Sequence, residues 1–368
     1  MDSPYTKELI AAIAAVRLAA QISLTVLSQS QTTASSSLTN PDSSSTLIKD
    51  DLSPVTIADF AIQALLTTHL SQHFPSHSFI GEESADGLRA NPHLLQRVLQ
   101  ILTLSDPSTP WTADSICTKI DSCTALTCPS PDFTWIFDPI DGTKTYMQQK
   151  QYAINVALLR NSQQLLSVVA LPLLSPDVSS SPISDSTVDP TKTGTLLYAV
   201  RSHGTFLLPL FPSNDSPGGI PPKKLASISP GTTTPLSSVT CTTVDSGISP
   251  LHSLISSRLQ IPYPGTNLLG WVPRWSSLAL GLGNTTVWIY NSRSRSAKIW
   301  DHAGAMLLFE EVGGKITDVR GKDIDLSAGR KLSKNFGFVA APRGEQHASV
   351  LKMVQDTLRE EGRDDLLV

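Results

Sequence analysis

The sequence has little that would suit a nucleic acid or a membrane as partner. Lysine and arginine number 28 against 32 aspartates and glutamates, the formal net charge is −4, and no dense basic tract occurs. A phosphate backbone or an anionic membrane surface needs concentrated positive charge, so neither is expected as the main partner. No apolar run approaches the roughly 20 residues of a membrane span. We therefore predict a cytoplasmic protein whose partner is a small molecule.

Cysteine is also scarce, and its spacing excludes the common metal and redox motifs. The four cysteines lack the Cys-x-x-Cys spacing of zinc sites and redox pairs; they are Cys117, Cys123, Cys128 and Cys241. We interpret them as free thiols in a reducing compartment.

The length of 368 residues exceeds the size at which one hydrophobic core usually stops growing. We predict an N-terminal α+β sub-domain at 1–172, which carries the metal-site motifs, and a C-terminal α/β sub-domain at 194–368, which carries the last metal ligand and the substrate pocket. Stretches rich in Ser, Thr or Pro predict flexible surface loops at 28–46, 173–193 and 212–235. No internal repeat is evident.

Hydrophobic periodicity predicts a mixture of helices and strands without strict alternation. A helix is expected at about 5–28, a second one from Thr56, and a last one at 345–360. Between them, aromatic and β-branched runs predict several successive strands. This pattern indicates layered α+β architecture, with acids gathered at strand ends and helix starts.

The most informative stretch is Asp138-Pro139-Ile140-Asp141-Gly142-Thr143, which follows a predicted buried strand. Pro139 favours an extended Asp138, and Gly142 permits the sharp reversal that brings Asp141 back beside it. Two carboxylates and the Ile140 carbonyl can then face one point. Mg²⁺ prefers oxygen ligands and completes its shell with water and phosphate. The alternative is an ordinary Asp-Pro turn without chemistry.

Three other acids have similar double interpretations. Asp59, three residues after Thr56, fits a helix-capping arrangement, and Glu82 with its neighbour Glu83 fits a solvated charge pair. Asp301 fits a helix N-cap, although an N-cap carboxylate still has an oxygen free for a metal.

In their order along the chain, these acids resemble the lithium-sensitive, magnesium-dependent phosphomonoesterase superfamily that includes inositol monophosphatase. Several segments look most like the 3'(2'),5'-bisphosphate nucleotidases within it, namely 53–59, 81–84, 137–145, 198–201, 298–304 and 337–342. The resemblance covers nearly the whole chain. It implies a layered α/β/α/β sandwich of the inositol monophosphatase and fructose-1,6-bisphosphatase type.

The same resemblance implies residue roles. It assigns Mg²⁺ to the carboxylates of Glu82, Asp138, Asp141 and Asp301 and to the main-chain carbonyl of Ile140. Asp59 and Thr143 would orient and deprotonate the attacking water. The expected substrate contacts are Gly142, Thr143, Arg274 and Asp301. Lithium should inhibit by occupying a magnesium position.

The nucleotide pocket of this family is less well matched than its metal site. Ile248 stands where a base-contacting His is usual, within 244–249, and Trp288 stands where an Arg is usual. In the segment 270–275, only the cation Arg274 matches the family pattern.

Two interpretations of the tryptophans Trp271, Trp275 and Trp288 stay open. They are ordinary core residues, or they form an aromatic wall for a different organic phosphate, with Arg274 gripping an anion through two parallel hydrogen bonds.

The first functional hypothesis is hydrolysis of the 3'-phosphate of adenosine 3',5'-bisphosphate, and of 3'-phosphoadenylyl sulfate, to clear a by-product of sulfate activation. The alternative keeps the chemistry but acts on another small phosphomonoester, such as an inositol phosphate or a biosynthetic intermediate. A third is an inactive nucleotide-binding sensor. The presence of all the metal acids and of Thr143 disfavours it.

Overall fold

The computed structural model describes residues 4–37, 54–124, 133–212, 220–228, 234–243 and 247–368; for 30–37 and 54–56 it describes the main chain alone. The α-helices of the described residues are α1 (Thr6–Ser37), α2 (Pro54–His73), α3 (Asp86–Ala90), α4 (Pro92–Ser105), α5 (Ala113–Asp121), α6 (Thr143–Met147), α7 (Ser249–Arg258), α8 (Trp271–Ala279), α9 (Ala305–Glu311) and α10 (Glu345–Glu360).

The strands are β1 (Ser78–Gly81), β2 (Phe133–Asp141), β3 (Ala153–Arg160), β4 (Gln163–Leu171), β5 (Thr195–Val200), β6 (Gly204–Pro209), β7 (Lys223–Lys224), β8 (Val239–Thr240), β9 (Thr266–Asn267), β10 (Thr286–Trp288), β11 (Gly314–Thr317) and β12 (Phe338–Pro342). Short 3₁₀ segments lie at Leu326–Ala328 and Asp364–Leu367.

Strands β1 to β7 form one sheet in chain order, in which β1 is parallel to β2 and the other neighbours are antiparallel. Both faces of this sheet are buried. In β4, for example, Val168 belongs to the hydrophobic core on one face and Val169 to the core on the other, as the two-residue period of a strand requires.

Helices cover each face of the sheet. On one side, α1 packs against α2, β3 and β4, and α2 packs against β2. On the other side, α8 contacts β2 and β3, and α9 contacts β4, β5 and β6. The second sheet, in the order β10-β12-β11, follows next, with α9 against β11 and α10 against β12. This layering confirms the predicted α+β sandwich.

Helix α1 differs from the expectation in two ways. It continues to Ser37, beyond the predicted end at about residue 28. Within its segment Thr6–Gln29, an 18-residue window has a mean hydropathy of 1.9, so by length and composition alone this helix could cross a membrane, which the absence of a long apolar run did not predict. Residues such as Val16 and Ala19 are fully buried against the protein, as in a core helix.

The segment 173–193, predicted as a flexible loop, contains no helix or strand, and two of its side chains belong to the hydrophobic core. Leu174 and Ile183 are buried, and the Asp189 carboxylate accepts hydrogen bonds from the main-chain N–H groups of Thr193 and Gly194. Part of the predicted loop 212–235, and Val244 to Ser246, lie outside the described residues.

Three of the four cysteines, Cys117, Cys123 and Cys241, are buried free thiols, as predicted. Cys128 lies outside the described residues.

Candidate active site

Strand β2 places Asp138 and Asp141 at its C-terminal end, on the side of the large sheet where the other acids also lie. Asp138 pairs with Asn155 of β3, and the register then shifts before Asp141. Gly142 follows with φ +92° and serves as the N-cap of α6. A Cβ atom at this position would lie 2.7 Å from the Thr145 hydroxyl oxygen. The positive φ angle is also unfavourable for a residue with a side chain. The bend thus requires glycine, as the sequence predicted.

Asp59 reaches the same place from α2. This helix begins at Pro54, which suits proline at a first helical position, so Asp59 lies in the second turn. The capping interpretation was therefore wrong. Its carboxylate is buried, and Oδ1 has no hydrogen-bond partner among the described residues.

The Glu82–Glu83 turn is fixed by a glutamine that sequence reasoning missed. Gln63, one turn after Asp59 on the same face of α2, donates from Nε2 to the Glu83 carbonyl (2.9 Å) and accepts from the Glu83 N–H (2.9 Å). It packs so tightly that a side chain at Gly81 would lie 2.5 Å from its amide carbon. The four-residue spacing from Asp59 was the signal that could have identified it.

Asp301 lies in a turn before α9, because that helix begins at Ala305 with Gly304 as its N-cap. The N-cap interpretation of Asp301 was also wrong. The turn is held against β3 by Asn155, whose Nδ2 donates to the Trp300 carbonyl (2.6 Å). Since Asn155 pairs with Asp138, the same residue places Asp301 beside Asp138.

Arg330 connects two parts of the site that are distant in sequence. Its guanidinium donates to the carbonyls of Glu82 (3.0 Å) and Cys123 (3.1 Å) and lies 4.7 Å from the ring centre of Trp300. The sequence offered no signal for this contact, since Arg330 follows Glu82 by 248 residues.

The five acids form one electrostatic group. Burial, then Glu83 and Glu82, raises the pKa of Asp59 well above its ordinary value. Burial, then the carboxylates of Glu82, Asp141, Asp301 and Asp59, raises the pKa of Asp138 in the same way.

The remaining members behave alike. The Glu82 side chain reaches solvent, but desolvation, followed by Glu83 and Asp141, raises its pKa to about 7, against the opposing effect of Lys298. Burial, then Asp141 and Glu82, raises the pKa of Asp301, with a hydrogen bond to Asp138 opposing. Ionising all five carboxylates together is unfavourable because their negative charges repel each other, and a bound cation would stabilise the ionised forms.

Asp141 also accepts a hydrogen bond from the first turn of α8, through the N–H of Val272. Burial raises its pKa to about 6, while the N–H of Val272 and the charge of Arg274 oppose the rise. A side chain at Gly270 would lie 2.8 Å from Asp141 Oδ2. The metal-site candidate and the helix that begins with Trp271 are therefore in direct contact.

In the part of the chain that the structure describes, no group of three or more His, Cys, Asp or Glu side chains is placed so that it could hold a metal ion as it stands. The donor set nevertheless suits a hard divalent cation, because it consists of carboxylates and the Ile140 carbonyl. Buried Oδ1 atoms of Asp59 and Asp138 also lack partners among the described residues. Ile140 is buried, and the exposed Thr143 hydroxyl lies 3.4 Å from its carbonyl.

The aromatic residues divide between the two interpretations. Trp275 and Trp288 are core residues with at most 1% exposure, and Trp275 donates to Nδ1 of the buried His302 (3.0 Å). Trp271 is half-buried and lines a cleft of about 400 Å³ beside Asp301. Ile248 is not among the residues that line it.

Arg274 is buried between Trp271 and Trp288, 3.5 and 4.8 Å from their ring centres. Its Nε and Nη2 donate to the carbonyls of Gly270 and Leu269. This leaves Nη1 as the one nitrogen without a partner among the described residues. Because each Nη nitrogen carries two N–H groups, the contact with an anion through two parallel hydrogen bonds stays a prediction.

Comparisons with known proteins agree with this geometry. The model of the inositol monophosphatase family matches residues 6–359. A 3'(2'),5'-bisphosphate nucleotidase from Schizosaccharomyces pombe is 30% identical over 346 residues, 90% of this chain and 91% of the relative. One from Oryza sativa is 29% identical and covers 98% of this chain and 97% of its own.

Among solved structures, inositol monophosphatase II from Staphylococcus aureus has a TM-score of 0.59 at 15% identity and covers 98% of this chain and 97% of its own. The Thermotoga maritima enzyme has a TM-score of 0.55 at 18% identity, with 96% and 99% covered. The chain belongs to the inositol monophosphatase family and is a phosphoric monoester hydrolase similar to the 3'(2'),5'-bisphosphate nucleotidases.

Proposed function

We propose that this protein is a magnesium-dependent phosphatase that removes the 3'-phosphate of adenosine 3',5'-bisphosphate, with 3'-phosphoadenylyl sulfate as a second substrate. The observation that carries the proposal is the convergence of Asp59, Glu82, Asp138, Asp141 and Asp301 at one edge of the sheet. The full-length similarity to bisphosphate nucleotidases supports the choice of substrate. A cytoplasmic location stays a prediction.

The residues proposed to hold Mg²⁺ are Glu82, Asp138, Asp141, Asp301 and the carbonyl of Ile140. Magnesium, when bound, would neutralise charge on the phosphate and on the attacking and leaving oxygens, which is the main requirement of phosphoryl transfer.

Asp59 is proposed to take the proton of the attacking water. Its free, buried Oδ1 and raised pKa make it a stronger base than an exposed aspartate. Thr143 would orient the same water, and the main-chain N–H groups of Gly142 and Thr143 would contact the phosphate. Water adds to phosphorus, the bond to the 3'-oxygen breaks, and that oxygen takes up a proton. The products are adenosine 5'-monophosphate and inorganic phosphate.

A substrate panel tests the proposal. Phosphate release should be fastest from adenosine 3',5'-bisphosphate, slower from an inositol monophosphate, and lost in EDTA. Lithium should inhibit it. Faster turnover of the inositol phosphate would favour the alternative substrate, and no turnover of any phosphomonoester would favour the inactive sensor.

A further inference from the structure

Asp141 and Asp301 lie together in the site although they belong to separate elements. Asp141 ends β2, and Asp301 lies in the turn 300–304, which is called the Asp301 turn below. The first turn of α8 contacts Asp141 through the N–H of Val272. Asn155 holds the Asp301 turn to the large sheet through the carbonyl of Trp300. The position of α8 relative to the Asp301 turn therefore affects the separation of the two carboxylates.

A hydrogen bond between Trp275 and His302 joins α8 to the Asp301 turn. The Trp275 indole N–H donates to Nδ1 of His302 (3.0 Å), and both side chains are fully buried. Trp275 lies one turn after Val272 on α8, and His302 directly follows Asp301. Among the described residues, no second hydrogen bond connects α8 with this turn. The contact thus links the helix that touches Asp141 to the neighbour of Asp301.

Packing alone does not account for a histidine at position 302. An indole N–H can only donate, so Nδ1 accepts this bond and the ring proton lies on Nε2. Nε2 is buried and has no hydrogen-bond partner among the described residues, and a buried, unpaired donor is unfavourable. The ring stacks on Phe338 with 4.4 Å between the ring centres. A phenylalanine could stack in the same way, so the acceptor for Trp275 is what histidine adds.

We propose that Trp275 and His302 are positioning residues of the magnesium site, because their hydrogen bond fixes α8 at the separation at which Asp141 and Asp301 can both bind Mg²⁺. The inference rests on the proposed function and extends it to two residues that do not line the cleft beside Asp301. Without this bond, α8 can shift together with the N–H of Val272. The Asp141 carboxylate then moves relative to Asp301, and magnesium binding becomes weaker.

Magnesium binding tests this role without turnover. Trp275→Phe keeps an aromatic ring in the core and removes the N–H donor. The assay is calorimetric titration with Mg²⁺ in the presence of inorganic phosphate, the reaction product. The variant should bind Mg²⁺ roughly tenfold more weakly than the wild type, which is the usual effect of losing a residue that positions metal ligands.

The chain contains a matched control for this variant. Trp135 is also fully buried, and its indole N–H donates to Nδ1 of His77 (3.1 Å). It belongs to the hydrophobic core on the opposite face of the large sheet from Trp275. Trp135→Phe therefore removes the same type of hydrogen bond and should keep the wild-type affinity for Mg²⁺.

Two variants of His302 separate positioning from folding. His302→Leu removes both the ring and the acceptor. His302→Asn removes the ring but keeps an acceptor oxygen at the same distance along the side chain. Both variants should unfold at lower urea concentrations than the wild type, whereas only His302→Leu should lose magnesium affinity, again roughly tenfold. An equal loss of affinity in the two variants would contradict the positioning role.

The indole N–H resonance of Trp275 gives a readout on the wild type itself. Adding Mg²⁺ with inorganic phosphate should shift this signal, which Trp275→Phe identifies by its loss, and should leave the Trp135 signal unchanged. If the shift and the affinity losses occur but the wild type hydrolyses no phosphomonoester, the proposed function fails and the positioning role stands. The inference is overturned if the Trp275 signal does not move, if Trp275→Phe binds Mg²⁺ as tightly as the wild type, or if Trp135→Phe binds it equally weakly.

Discussion

Gln63 allows a sharp test of how the site is assembled, because it contacts the site without being one of its acids. It joins α2, which carries Asp59, to the main chain of Glu83 through two hydrogen bonds of 2.9 Å. The replacement Gln63→Met keeps the length of the side chain and removes both bonds. Any loss of activity would then arise from displacement of the Glu82 turn.

The expected magnitude follows from these two contacts. Each hydrogen bond contributes about 1 kcal/mol, and more where its partner is left buried and unpaired. Gln63 is fully buried, so the free energy of unfolding should fall by about 2 to 4 kcal/mol. A displacement of about 1 Å in a catalytic group can cost up to a hundredfold in rate. We therefore expect at least roughly a tenfold lower kcat/KM and a weaker response to Mg²⁺.

The assays are urea unfolding in EDTA and phosphate release over a magnesium titration. Gln346 is the matched control, because it binds the main chain of Thr234 in the same two-bond manner, on α10 and outside the acid cluster. Gln346→Met should lose stability without changing the magnesium response. The reasoning is refuted if Gln63→Met is destabilised but keeps the wild-type rate and magnesium response, or if both variants lose activity equally.

Further variants test other contacts of the site. Asp138→Asn should raise the free energy of unfolding in EDTA by at least about 1.4 kcal/mol, the equivalent of one pKa unit. The reason is that the folded state raises the pKa of this carboxyl group and so disfavours its charged form at neutral pH. An unchanged urea midpoint would contradict this expectation. Gly270→Ala should weaken magnesium-dependent turnover by displacing Asp141 Oδ2. The control Gly87→Ala should not, because the nearest atom there lies 3.5 Å away. Equal magnesium-dependent turnover by the two variants would refute the contact between Gly270 and Asp141. Arg274→Lys should lower the free energy of unfolding by about 1 to 3 kcal/mol, since lysine cannot keep both main-chain hydrogen bonds between the two tryptophans. A thermal midpoint equal to that of the wild type would argue against a stabilising role of these hydrogen bonds.

Periodicity and local chemistry were sufficient for most of the fold. Helix α10 has the predicted bounds, 345–360, and the strands β3 to β6 were expected from their apolar runs. An N-cap at Asp301 would start helix α9 at His302, three residues before its observed start at Ala305. A Cβ at Gly304 would lie 2.1 Å from the Asn155 side chain, so a long-range contact and not local propensity accounts for the glycine at this N-cap.

The sequence was sufficient to identify the acids of the site, but not the residues that position those acids. Asp138 and Asp141 share one motif, so their proximity follows from local backbone geometry. The contacts of Gln63, Asn155 and Arg330 depend on how α2, β3 and the last third of the chain pack together. Apart from the four-residue spacing of Gln63 from Asp59, no spacing indicates these contacts, and the hydrogen bonds of Arg274 to two main-chain carbonyls likewise depend on its burial between two tryptophans.

The central claim is that the clustered acids bind Mg²⁺ to release phosphate, and one measurement tests it most directly. Phosphate release from adenosine 3',5'-bisphosphate is compared for the wild type and Asp141→Asn, in magnesium and in EDTA. Turnover by the wild type in magnesium alone, with none by the variant in either condition, is the predicted result. Wild-type turnover that persists in EDTA, or an Asp141→Asn variant with the full magnesium-dependent rate, would contradict the account.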